Sequence, residues 1–164
     1  MSTAAMEQSR GPVAIAHPLG AMEVPADAVM RFTTPMWGFE PHREFALLPA
    51  ARQGLWWFLS TTDSATTFVL ADPFVAVDGY SIDLTDHERD ELALVNESDA
   101  LALVLVALPG AAGGSVTANF RAPLVFNLST CLVKQVVNRD EQFGLAEAVD
   151  LSRYPLQDDP VAQG

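Results

Sequence analysis

Three histidines, one cysteine and a scatter of carboxylates are the residues of this sequence best suited to chemistry. His17, His42 and His87 could ligate a metal or carry protons, but no two stand at the i, i+4 spacing that brings ligands onto one helix face. They read as scattered surface histidines. Cys131 lies beside Leu132 and Val133 in a predicted strand, where a buried, inert thiol is expected rather than a nucleophile with a base beside it. Standing alone, it rules out an internal disulfide framework and a multi-cysteine zinc site. Asp63, Asp72, Asp78 and Asp83 are the remaining candidates. Acid–base work needs two carboxylates whose burial and neighbours drive their pKa values apart, and spacing alone does not supply that. The G-x-S-x-G elbow, the phosphate-binding loop, the dinucleotide glycine fingerprint and the H-E-x-x-H stretch are all missing. Ser115, after Gly113-Gly114, is ordinary turn chemistry. Neither cofactor nor metal is expected.

The charge balance narrows the partners. With 9 Lys plus Arg against 21 Asp plus Glu, the 164-residue chain carries a net charge of −12. Its field repels phosphate backbones, which argues against direct nucleic-acid binding. It favours a basic protein partner, although solubility alone also accounts for an acidic surface. Glu7 and Arg10 fall where a signal peptide would carry its apolar core, and the longest apolar run, Ala100 to Leu108, is far short of the roughly 20 residues that span a bilayer. A cytoplasmic protein with no membrane contact is expected, built as one domain over 12–157 between flexible tails at 1–11 and 158–164.

The elements that must position these residues are short. VAIAH (13–17), LGAMEVP (19–25), EFALLP (44–49), LWWFLST (55–61) and TTFVLAD (66–72) are strand-length, rich in β-branched or aromatic residues, and bounded by Gly, Pro or Asp. ALALVLVALP (100–109) is apolar at both parities, as in a strand covered on both faces. SVTANF (115–120), APLVFNL (122–128) and CLVKQVV (131–137) follow a flexible glycine-rich turn at 110–114, and the chain beyond Asn138 is expected to lie across the surface. The spacing predicts an all-β, mainly antiparallel, compact β-barrel-like domain. One short helix is expected at 85–94, where Thr85 and Glu88 have the capping-box spacing and Asp86 suits the positive end of the helix dipole.

One stretch interrupts this pattern. In LADPFVAVDGY (70–80), Pro73 has no amide hydrogen to give a sheet, so it must sit at an edge, a bulge or a strand end. The residue before it is driven to an extended conformation. A presented acidic and aromatic corner is one outcome. A simple strand-ending bend with Phe74 packed inward is the other.

The collinear order of PMWGFE (35–40), FALLP (45–49), WWFLST (56–61), FVLADPF (68–74), a strand at Tyr80 to Leu84 with its helix, VTANFRAPLVFN (116–127), Gln135 and Tyr154-Pro155-Leu156 closely resembles the FliW family of flagellar assembly factors, from about Val13 to Leu156. Two departures stand out. Met36 and Trp37 precede Gly38-Phe39 where the family has a small apolar residue and Pro. Arg121 replaces a usual leucine, pointing to an exposed sheet face or an altered partner surface. Asn119 and Gln135 match recurrent polar positions and read as amides satisfying strand ends.

The resemblance implies a non-enzymatic, monomeric regulator. Members of the family bind the RNA-binding translational repressor CsrA, relieve its repression of flagellin synthesis, and also bind flagellin, so that the two partners compete. On that footing Asp72, Pro73 and Phe74, with Asp78 and Asp83, are the expected repressor-facing surface. Trp37 and Phe39 either pack the barrel end or anchor a partner. Two other readings remain open: a small β-barrel enzyme or ligand-binding module using the carboxylates, and an export chaperone that only shields flagellin.

Overall fold

Phe45, Leu47, Phe58, Leu70, Leu103, Leu124, Phe126 and Val133 come from six different strands and share one interior. Side chains alternate across a strand, so one parity of every strand builds this core and the other is left to face outward. In the computed structural model, which describes residues 12–17, 20–109 and 113–157, the strands close on themselves. The predicted tails and the centre of the glycine-rich turn lie outside the described residues.

The hairpin β1 (Val13–His17) and β2 (Gly20–Val24) precedes β3 (Val29–Phe32), β4 (Glu44–Pro49), β5 (Leu55–Ser60), β6 (Thr67–Ala71), β7 (Ala100–Ala107), β8 (Thr117–Ala118), β9 (Leu124–Asn127), β10 (Leu132–Gln135) and β11 (Glu147–Ala148). Neighbouring strands from β3 to β7 pair antiparallel. β7 then pairs with β9 from Ala100 against Asn127 to Leu103 against Leu124. β9 pairs with β10 antiparallel, and β10 returns to β3 in the parallel sense, Leu132 opposite Arg31. The seven strands β3, β4, β5, β6, β7, β9 and β10 thus form a closed barrel, which removes the unpaired edges an open sheet would expose. Short β8 and β11 extend from the end of β7.

Aromatic rings fill the interior. Phe45 stacks on Phe58 with centroids 4.6 Å apart, and Phe32 and Phe126 meet Phe58 edge-on at 6.0 and 5.6 Å. Such offset and edge contacts add about 0.5–1.5 kcal/mol each beyond area burial. Three smaller clusters cover the outer wall: the hairpin lays Ile15 and Val24 on Ala46 and Leu59; Leu92 packs on Val125 and Val136; and Phe120, Phe143 and Tyr154 cover Ala71 and Val104. Adjacent Leu103 and Val104 are both fully buried, so mid-β7 is covered on both faces, as its double-parity apolar run indicates.

Several elements differ from the expectation. The bend at Asp72-Pro73 is itself a helical turn, α1 (Pro73–Ala76), with Asp72 as N-cap and Pro73 in the first helical position. The predicted helix is present as α2 (Asp86–Glu91) with both capping-box bonds, Glu88 N–H to Thr85 Oγ1 at 3.1 Å and Thr85 N–H to Glu88 Oε1 at 2.8 Å. Tyr80 to Leu84 is not a strand. Its carbonyls are taken by side chains, Ser81 O by Asn138 and Asp83 O by Arg139, instead of by a neighbouring ladder. Cys131 precedes β10 in a turn, half-buried, at a left-handed φ of 59°, with Sγ 3.5 Å from Asp27 O. The residues after Asn138 do more than cross the surface, because Phe143 and Tyr154 are buried. Arg121 is neither an exposed sheet residue nor free for a partner: its guanidinium donates to Phe143 O and Glu141 O, pinning that segment.

Candidate interaction surface

The acidic corner is built by a short chain of local causes. Asp72 leaves β6 in an extended conformation, and its Oδ1 accepts the Phe74 amide at 2.9 Å. Pro73 is buried beneath the turn, Val77 N–H closes on Pro73 O, and Phe74 is carried outward, 53% exposed. Its ring meets Tyr80 edge-on at 5.6 Å, which props it up instead of burying it. Asp78 and Asp83 are exposed. Of the five residues assigned to this surface, Phe74, Asp78 and Asp83 offer side chains to solvent. Asp72 and Pro73 act by shaping the turn.

The PMWGFE turn lies elsewhere. Phe39 is half-buried against Phe68 at 4.9 Å and joins the barrel core, whereas Trp37 next to it is 57% exposed. Phe68, near the start of β6, and Asp72, just past its end, are four residues apart, about 13 Å at strand rise, so this turn and the acidic corner sit at opposite ends of that strand. Gln135 ties the turn down, its Oε1 accepting Trp37 N–H at 3.4 Å and its Nε2 donating to Ala122 O at 3.3 Å. Asn119 accepts the Arg121 and Ala122 amides. Both side chains satisfy backbone groups of turns and bends rather than of strand ends.

Beside Phe74 runs an open groove of about 290 Å³ whose apolar lining includes Ile82, Leu84, Leu94, Ala102 and Val125. Its one paired cation is Arg89, 3.2 Å from Glu97. Glu97 is the acid in its lining, and Asp83, between Ile82 and Leu84 in the chain, is exposed. The groove residues were not singled out from sequence; the alternation of Ile82 and Leu84 before the capping box is the one local signal that could have pointed to them.

The remaining polar groups hold structure. Asp63 accepts the Ala65 amide and the Thr66 hydroxyl in the β5–β6 turn, and the Thr66 hydrogen bond keeps its pKa below the usual carboxylate range. His42 lies 3.8 Å from Asp63 and 3.4 Å from Ser60 Oγ. His87 is exposed on α2. His17 ends β1, and its side chain lies outside the described residues. Glu91 is a junction: it accepts from Thr33 at 2.6 Å, Thr34 at 2.8 Å and Lys134 at 3.1 Å, and the Thr33 bond leads in holding its pKa down at about 2. Among the described residues no three His, Cys, Asp or Glu side chains are grouped to hold a metal ion. The barrel core is built of Phe, Leu, Met and Val. No described helix is long and apolar enough to cross a membrane.

Known proteins share this architecture and sequence. The FliW protein family matches residues 14–149. Among similar proteins, the flagellar assembly factor FliW of Syntrophus aciditrophicus is 32% identical over 76% of this chain and 78% of its own. That of Pseudothermotoga lettingae is 27% identical over 80% and 84%, and that of Leptospira biflexa 25% identical over 88% and 95%. A crystal structure of the flagellar assembly factor FliW superposes with a TM-score of 0.71 at 28% identity, covering 84% of this chain and 96% of that one. With the barrel, its two short helices and the family match over nearly the whole described domain in agreement, the chain belongs to the FliW family of flagellar assembly factors.

Proposed function

We propose that the chain is a non-enzymatic, monomeric, cytoplasmic antagonist that docks the translational repressor CsrA and also binds flagellin, so that flagellin synthesis responds to which partner is held. The observation that carries this reading is Phe74: a half-exposed aromatic ring lines an apolar groove that also holds Glu97, with Asp78 exposed four residues further along the chain. Exposed aromatics seated in a partner's pocket are the usual anchors of protein interfaces. The acidic field complements a basic RNA-binding protein, raises its rate of encounter and opposes RNA beside it. The apolar groove suits the hydrophobic face of an amphipathic helix, the form expected of a flagellin terminus. Because Phe74 borders both surfaces, one partner occupying it hinders the other, and that overlap is a physical basis for exchange.

Calorimetric titration with CsrA tests the reading. Binding is expected at about 50 mM salt and weaker at about 300 mM, where the Debye length is shorter. Flagellin is expected to displace CsrA, and Phe74→Ala to weaken both complexes. Absence of CsrA binding at both salt concentrations defeats the proposal.

A further inference from the structure

The corner that carries Phe74 is too small to hold itself. A four-residue helix forms one turn, and nucleation of such a turn is unfavourable in isolation. Its N-terminus is satisfied by Asp72, but its last carbonyls have no partner within the helix. They are met from a distant part of the sequence: Arg153 Nη1 donates to Ala76 O at 3.1 Å and to Val75 O at 3.4 Å. The next residue grips the other end, where the fully buried Tyr154 donates its hydroxyl to Asp72 O at 2.7 Å. One dipeptide of the carboxy-terminal segment therefore clamps both ends of α1.

That segment, 150–157, is also fastened to the β4–β5 turn. Gln53 N–H donates to Pro155 O at 2.7 Å, Gln157 N–H to Ala51 O at 2.9 Å, and Arg52 Nη1 to Tyr154 O at 2.9 Å. The ring of Tyr154 lies over Gly54, where an added Cβ would come within 2.9 Å of it. Asp72 N–H donates to Gly54 O at 2.8 Å. The turn, the strap and the corner form one stack, with Tyr154 at its centre.

We propose that this carboxy-terminal strap is the positioning element of the docking corner: Arg153 and Tyr154 hold α1 so that Phe74 is presented, and strap docking and partner binding are thermodynamically linked. The proposal rests on the reading of the Phe74 corner as a docking surface. By linkage, a partner that needs the ordered corner must tighten the strap by the same factor that the strap tightens the partner.

Two variants test it, Arg153→Ala, which removes the cap on the carbonyls, and Tyr154→Phe, which keeps the buried ring and removes only the hydroxyl. Hydrogen exchange at the Phe74 and Val77 amides is expected to quicken by about 10-fold, a local opening, while β4 and β5 keep their protection. CsrA affinity is expected to fall about 5-fold or more, with saturating CsrA slowing exchange at the Gln53 and Gln157 amides of the wild type. Phe74→Ala serves as the control for the corner. Unchanged exchange at Phe74 and Val77 in both variants overturns the proposal. Quickened exchange with unchanged affinity, beside a loss of affinity in Phe74→Ala, overturns the linkage and leaves the docking surface intact. Unchanged affinity in Phe74→Ala removes the docking surface, and the proposal with it.

Discussion

The two short helices, 13 residues apart from the start of one to the start of the other, are held in opposite ways. α2 closes its own ends. Thr85 and Glu88 satisfy its first amides, and at its C-terminus Leu94 N–H reaches Arg89 O at 2.8 Å while Ala93 N–H reaches Asp90 O at 3.0 Å. These are the paired bonds of a Schellman ending, with Ala93 at φ 55° in the place glycine usually takes. Only then do outside groups engage it: Asn127 donates to Leu92 O and Ala93 O, and Glu91 joins Thr33, Thr34 and Lys134. α1 supplies its own N-cap and little else; its far end and its seat come from residues 153 and 154. One helix is a local fact of the sequence, the other a consequence of tertiary structure. The exposed aromatic sits on the second.

The largest effect that separates them is expected from Tyr154→Ala. Removing a fully buried ring should cost about 3–5 kcal/mol in denaturant unfolding and loosen α1 more than α2. A variant that loses less than about 1 kcal/mol would show the stack to be dispensable. Gly54→Ala should follow. At φ +91° and with Tyr154 Cδ1 2.9 Å from the new Cβ, neither the backbone nor a packed ring can yield easily, and about 2–3 kcal/mol is expected in the same measurement.

Glu91→Gln probes the α2 side, and pH gives its signature. The Thr33 hydrogen bond holds the folded carboxyl down at about 2, below the usual 4.5, so its contribution is present above the unfolded value and is lost as pH falls through the folded one. The variant should be less stable by about 1–2 kcal/mol at pH 7. Thermal unfolding of the two proteins should converge between pH 4.5 and about 2; a gap that is constant with pH would mean the carboxylate charge is not what Thr33, Thr34 and Lys134 hold. The smallest effect has the opposite sign. Ala93→Gly relieves a left-handed residue and should raise stability by about 0.5–1 kcal/mol, since glycine adopts that region without the Cβ penalty. No gain would indicate that Asn127, not backbone preference, sets the end of α2.

The same contrast explains what the sequence made legible. The capping box is written within four residues, 85–88, so α2 could be read directly. Strand-length runs at 44–49, 55–60 and 67–71, rich in β-branched or aromatic residues and bounded by Gly, Pro or Asp, announced strands, and their short spacing announced the antiparallel barrel class. The closing pair could not be read: β10 meets β3 in the parallel sense across about a hundred residues, and two four-residue strands carry no mark of their partner. The strand that the resemblance implied at 80–84 is absent because Asn138 and Arg139, not a neighbouring strand, bond its Ser81 and Asp83 carbonyls. At the site, Pro73 revealed the corner because its chemistry is local. Arg153 lies 77 residues from Ala76, and nothing near either residue names the other.

The parallel pairing of β10 with β3 also orders events as the polypeptide is made. Until Leu132–Gln135 emerges and returns to Val29–Phe32, the sheet from β3 to β7 has two open margins, and its phenylalanine-lined face is exposed to whatever else is nearby. A wall whose β3 strand is sealed only by β10 cannot close before β10 has been made, and it closes through long-range contacts that slow the search. Closure of the barrel therefore waits on a pairing between segments about a hundred residues apart.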